Sequence, residues 1–106
     1  MVILDIESRV AKRVTLDEER WRHIQEHPEM NGEIERLRET VLEPDEVRRS
    51  IYDSSVWLFY RYYSSTPVTK KYLLAVVRFM NEEGFIVTAF FTDSVKRGGQ
   101  LWSRKP

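Results

Sequence analysis

Apolar and polar positions alternate most regularly between Lys71 and Asp93. Two runs there, Lys71 to Met80 and Phe85 to Thr92, are rich in branched and aromatic residues, and Asn81-Glu82-Glu83-Gly84 between them carries turn chemistry. The pattern predicts one long β-hairpin. Asparagine first and glycine fourth suit a three-residue loop closed by a left-handed glycine, a register that sets Arg78 opposite Thr88, Phe79 opposite Val87 and Ala75 opposite Phe91. One face then carries Leu73, Ala75, Val77, Phe79, Phe85, Val87, Ala89 and Phe91, which should pack on a helical layer. The other face carries Tyr72, Leu74, Val76, Arg78, Ile86, Thr88, Phe90 and Thr92. It mixes hydroxyls and a guanidinium with apolar groups, which suits either a ligand-facing surface or a plain half-exposed sheet.

Upstream, Val2 to Ile6 reads as a short edge strand with a charged connector through Arg13. Thr15-Leu16-Asp17-Glu18 has the form of a capping box, so a helix is predicted from Leu16 to about His27, stopped by Pro28. Both His23 and His27 fall at the border of its buried stripe. A second helix is expected from near Asn31 to Pro44, because Met30, Ile34, Leu37 and Val41 repeat with helical spacing. Pro44 to Arg49 should add one further turn, with strands beginning at Ile51 and Val56. Val56 to Tyr63 is a strand of aromatic character, Ser64 to Pro67 a loop, Lys96 to Gly99 a basic turn, and Gln100-Leu101-Trp102 a return to the sheet edge. The fold class expected from this order is α+β: two or three N-terminal helices packed on one face of a C-terminal antiparallel sheet of about four strands, with the other face free.

The chain has 106 residues, enough for one domain. Its 42% hydrophobic and 32% charged residues belong to a soluble globular protein, and no apolar run approaches the roughly 20 residues that cross a bilayer. The start lacks a basic segment and Asp5 breaks its apolar run, so it does not read as a signal peptide. With no cysteine there is no thiolate or disulfide chemistry, and the cytoplasm is the expected location. Net charge is zero, but residues 1–43 hold 7 Lys/Arg against 11 Asp/Glu, and residues 44–106 hold 10 against 6. An anion would be drawn to the sheet half, although unlike halves of one domain also simply attract each other.

Two histidines are the main chemical candidates. His23-Ile24-Gln25-Glu26-His27 matches the inverted zinc-protease pattern, but such enzymes need a third protein ligand and a substrate chamber, whereas Pro28 ends the helix and the chain is too small. A two-histidine metal site at i, i+4 is the alternative to structural or acid-base histidines, and the expected reading uses no metal or other cofactor. A metal-independent ribonuclease needs a base for the ribose 2′-hydroxyl, an acid for the leaving 5′-oxygen and cations on the phosphate. His23 or His27, Arg61, Lys70 or Lys71, Thr88 and Thr92 supply those types, with Tyr60, Tyr62, Tyr72 and Phe90 available to stack on unpaired bases. Each has an ordinary rival role: a helix-border histidine as a packing group, Arg61 as a solvated strand charge, tyrosines as sheet residues.

The series His23-Ile24 through His27-Pro28-Glu29, then Leu42 to Val47, Phe59-Tyr60-Arg61, Lys71 to Val77 and Val87 to Thr92 resembles the phage barnase-EndoU-colicin-RelE-like nuclease group over roughly residues 20–102. That resemblance implies helices followed by a four-stranded antiparallel sheet, and a toxin-like or phage-associated endoribonuclease acting on RNA, with an antitoxin or other protein as a further partner. It makes His23 or His27, Arg61 and Thr88 active-site groups and Lys70 or Lys71 a substrate contact, beside which Thr92 is a further substrate-binding candidate from its residue type alone. The pI of about 6.7 departs from the basic excess usual in a free-standing ribonuclease. The alternative is a catalytically inactive domain that binds nucleic acid or protein.

Overall fold

The computed structural model describes residues 1–10, 13–96 and 98–104. Its elements are β1 (Val2–Glu7), β2 (Arg13–Asp17), α1 (Glu18–Ile24), a 3-10 turn at Pro28–Met30, α2 (Ile34–Leu42), β3 (Glu46–Arg49), β4 (Val56–Tyr62), β5 (Tyr72–Met80), β6 (Glu83–Thr92) and β7 (Gly99–Ser103). All the strands join one sheet in the order β1-β2-β6-β5-β4-β3-β7. Neighbours are antiparallel except β2 and β6, which run parallel, with Val14 beside Gly84 and Thr15 beside Phe85.

This overturns the expected fold class. The sheet is mixed and seven-stranded, two of its strands precede the helices, and only two α-helices lie among the described residues. The capping-box reading of Thr15 to Glu18 misled, because Val14 and Leu16 are fully buried while Arg13 and Asp17 are exposed, which is strand alternation. The cap one step later is Asp17, whose carboxylate accepts from the Glu19 amide at 3.2 Å. The expected turn after Pro44 is strand β3, held between β4 and β7, and Ile51 lies in an exposed turn rather than a strand. The edge strands at Val2 and at Gln100, and the aromatic strand from Val56, form as expected. Arg97 of the expected basic turn lies outside the described residues.

The central hairpin forms with a different turn. Met80 pairs with Glu83, so Asn81 and Glu82 make a two-residue loop with φ of 53° and 70°, the left-handed pair whose twist matches a hairpin. Arg78 therefore faces Phe85 and Phe79 faces Gly84; beyond a bulge at Val87, Val76 faces Thr88 and Ala75 faces Ala89. The new register takes Phe85 out of the core, where it is 41% exposed, and puts Ile86 in at 3%. Gly84 is fixed by packing: a Cβ there would lie 2.7 Å from the Phe79 ring.

The helices cover one face. Ile24 of α1, Met30 and Leu37 and Val41 of α2 are all buried against Leu16, Phe59, Leu73, Ala75, Val77, Ala89 and Phe91. Each such side chain contributes about 1.5–3 kcal/mol relative to exposure. The other face is not free. Because β6 and β7 run the same way and three strands separate them, the connection between them passes over the sheet, and Lys96 on Tyr60 puts it on the face opposite the helices, as a strap whose described residues are 93–96 and 98. The strap is tied down where the Lys96 amide donates to Tyr60 Oη at 3.0 Å and Arg48 Nη1 donates to Gly98 O at 3.2 Å. Gly98 sits so close to β3 that a Cβ would meet Arg49 O at 2.2 Å. No helix among the described residues is long and apolar enough to cross a membrane.

Candidate functional site

Register divides the sequence-predicted residues between the two faces. Arg61 pairs with buried Leu73, so its side chain stands on the helix-covered face. There its Nη1 donates to the Glu43 carbonyl at the end of α2, its Nε lies 3.4 Å from Glu39 Oε1, and its guanidinium sits 5.8 Å from the centre of the Tyr63 ring. Arg104 donates to the same Glu43 carbonyl at 2.9 Å. Two guanidinium groups thus complete the carboxyl end of α2, where the helix dipole favours cations. Tyr63 shares this cluster, donating to Glu39 at 2.6 Å beneath Arg36, and burial pushes its phenol well above the usual tyrosine range.

Thr88, Phe90 and Thr92 alternate along β6 on the opposite, strap-crossed face, facing Val76, Leu74 and Tyr72. The β2 pairing stops at Phe85, and α1 and the Pro28–Met30 turn pack against β6 instead. His27 caps that turn, and its ring centre comes within 6.0 Å of Phe90, tilted by 45°. His27 is therefore brought to Phe90, on the strand that carries Thr88 and Thr92, and Arg61 stands on the other face. His23 is elsewhere: its Nδ1 lies 3.4 Å from Glu26, and it borders a shallow depression with Asp17, Glu19 and Arg20. Lys70 is exposed two residues before Tyr72, while Lys71 Nζ donates to the Ser64 carbonyl at 2.8 Å and closes the 64–70 loop. Among the described residues no group of three or more His, Asp or Glu could hold a metal ion.

No family model, no curated protein and no solved structure matches this chain. The site therefore has to be read from its own geometry.

What sequence reasoning missed lies around the strap. Tyr60 is fully buried beneath it, and that burial raises its pKa. On one side of Tyr60, Tyr62 and Tyr72 meet edge to face at 5.6 Å beside Asp45, Glu46 and Arg104, in a pocket of about 420 Å³. On the other side a second pocket of about 420 Å³ is floored by aliphatic side chains of β4 and β5 and by Phe90. The alternation of Leu58, Tyr60 and Tyr62 signalled one shared face. Nothing in the local pattern signalled that the connection from β6 to β7 would cross it.

Proposed function

We propose that this chain is an RNA-binding domain that takes unpaired bases along β6 on the strap-crossed face. The observation that carries the reading is the approach of His27 to Phe90, between Thr88 and Thr92. Phe90 offers a π-face for stacking, Thr88 and Thr92 flank it on the same strand, His27 brings an imidazole to its ring, and Lys70 is exposed near the strand's end. Base stacking on an aromatic side chain is worth about 1–3 kcal/mol per base, enough for a single ring to matter.

The same imidazole favours a second reading, a metal-independent ribonuclease in which His27 moves the proton. Against the fuller nuclease constellation stand Arg61, occupied with the end of α2, and His23, set among acids. The likeness to the barnase-EndoU-colicin-RelE-like group rests on short segments, and the order of strands and helices departs from what it implies.

The test is to incubate the purified chain with mixed single-stranded and transfer RNA in excess EDTA, measuring retention and product ends, beside Phe90→Ala, His27→Ala and Arg61→Ala. Retention weakened by Phe90→Ala and untouched by Arg61→Ala supports the binding reading. Cleavage to 2′,3′-cyclic phosphate ends that disappears in His27→Ala establishes the ribonuclease instead. Failure to retain any RNA by the folded protein overturns both.

A further inference from the structure

The pocket beside the strap is a different kind of site from the β6 edge. Its floor is Val56, Leu58, Leu74, Val76 and Phe90, and it contains about 420 Å³, within the range of roughly 300–1,000 Å³ typical of small-molecule sites. Ile51 and Tyr52 also line it, and they are 62% and 91% exposed. The single charged residue in the lining is Lys96, and no acidic residue accompanies it. The backbone of Lys96 is pinned over Tyr60 by its amide, so the base of this side chain is fixed at the pocket. Its ammonium has no ion-pair partner among the described residues, whereas the nearby cations Arg48 and Arg78 are engaged by Glu46 and Asp53.

We propose that this pocket binds a small amphipathic carboxylate, its apolar body on the β4–β5 floor and its carboxylate on Lys96. An aliphatic floor offers no hydrogen-bond pattern with which to read a nucleobase, and its favourable term is burial of apolar surface. One ammonium without a second cation suits a monoanion rather than the dianion of a phosphate monoester. Phe90 borders both this pocket and the β6 edge, but the proposal does not depend on RNA binding.

The probe is decanoate, compared with decanol and decyltrimethylammonium of the same chain length. Binding is followed by methyl and amide NMR shifts of the full chain. Decanoate should move the signals of Val56, Leu58, Leu74 and Val76 in a saturable way and bind about two- to fivefold more tightly than decanol, the worth of one partly exposed ion pair. Lys96→Gln, a surface change that leaves the fold intact, should reduce decanoate to the affinity of decanol. Val76→Trp should fill the pocket and abolish both, with circular dichroism to show that this variant is folded; if it is not, Lys96→Gln alone decides. Equal binding of decanoate and decanol to the native chain, tighter binding of the ammonium, shifts confined to other residues, or no saturable shift would each overturn the proposal.

Discussion

Arg61 and Lys96 are cations on the same sheet, one on each face, and they differ in what surrounds them. Arg61 is half enclosed by α2, touches a carbonyl, a carboxylate and an aromatic ring, and is 20% exposed in its side chain. Lys96 is exposed and is tied down through its backbone amide, and among the described residues its ammonium has no ion-pair partner. The helix-covered face spends its polar groups on internal structure. The strap-crossed face holds several in reserve: the hydroxyl of Thr88, the ammonium of Lys96 and the imidazole of His27, whose ring comes to Phe90; the Thr92 hydroxyl donates to the Ser94 carbonyl at 3.5 Å. A cation's residue type therefore says little about function until its neighbours are known; the guanidinium that looks most like a phosphate ligand in the sequence is the one already engaged.

The sharpest way to break this contrast is to truncate an aliphatic side chain to alanine on each face. Leu37→Ala, fully buried under α2, should lower unfolding free energy by about 2–5 kcal/mol in urea titration, while Val76→Ala, open to the pocket, should cost about 1 kcal/mol or less. Comparable losses would mean that the strap side is as closed as the helix side. Arg61→Ala should come next, at about 1–3 kcal/mol, because it strips a partner from the end of α2. RNA retention at a temperature where the variant is folded should not change. Tyr60→Phe should cost about 1 kcal/mol and, more tellingly, speed hydrogen exchange at the Lys96 amide, leaving amides of α2 protected.

The smallest effect near neutrality is titration. Tyr60 and Tyr63, one beneath each cover, both have phenols whose folded pKa is raised, chiefly by burial. A raised folded pKa means that the unfolded chain loses its proton first. The stabilisation is fully present below the unfolded value of about 10 and is lost as pH rises beyond it. Alkaline unfolding curves should be steeper for the native chain than for Tyr63→Phe, and less changed by Tyr60→Phe, whose pKa is the less perturbed of the two.

The legible parts of this fold were those specified by a local period. The paired runs from Lys71 and Phe85, the strand from Val56 and the stripe of Met30, Leu37 and Val41 all carry their partners' requirements in their own spacing. The hairpin register was not local in that sense. It turned on whether Asn81 and Glu82 would both accept left-handed backbone, and on one bulge at Val87 that returns Ala89 and Phe91 to the core after Ile86 has replaced Phe85. Strands β2 and β3 escaped because each is short and has meaning only between its neighbours: Val14 and Leu16 are two apolar residues inside a convincing capping signal, and Val47 is one among charges. Of the candidate site, alternation correctly grouped Thr88 with Thr92, but which face Arg61 took depended on how β4 met β5, and the reach of His27 to Phe90 depended on β2 leaving β6 early.

The parallel seam between β2 and β6 also sets a timetable. Val14 pairs with Gly84, 70 positions further along the chain, so on a ribosome β2 must wait, unpaired on that side, until β6 has emerged. During that interval the apolar stripe of β2 is open to other contacts, and the amino-terminal hairpin is the segment most exposed to wrong partners before the sheet closes.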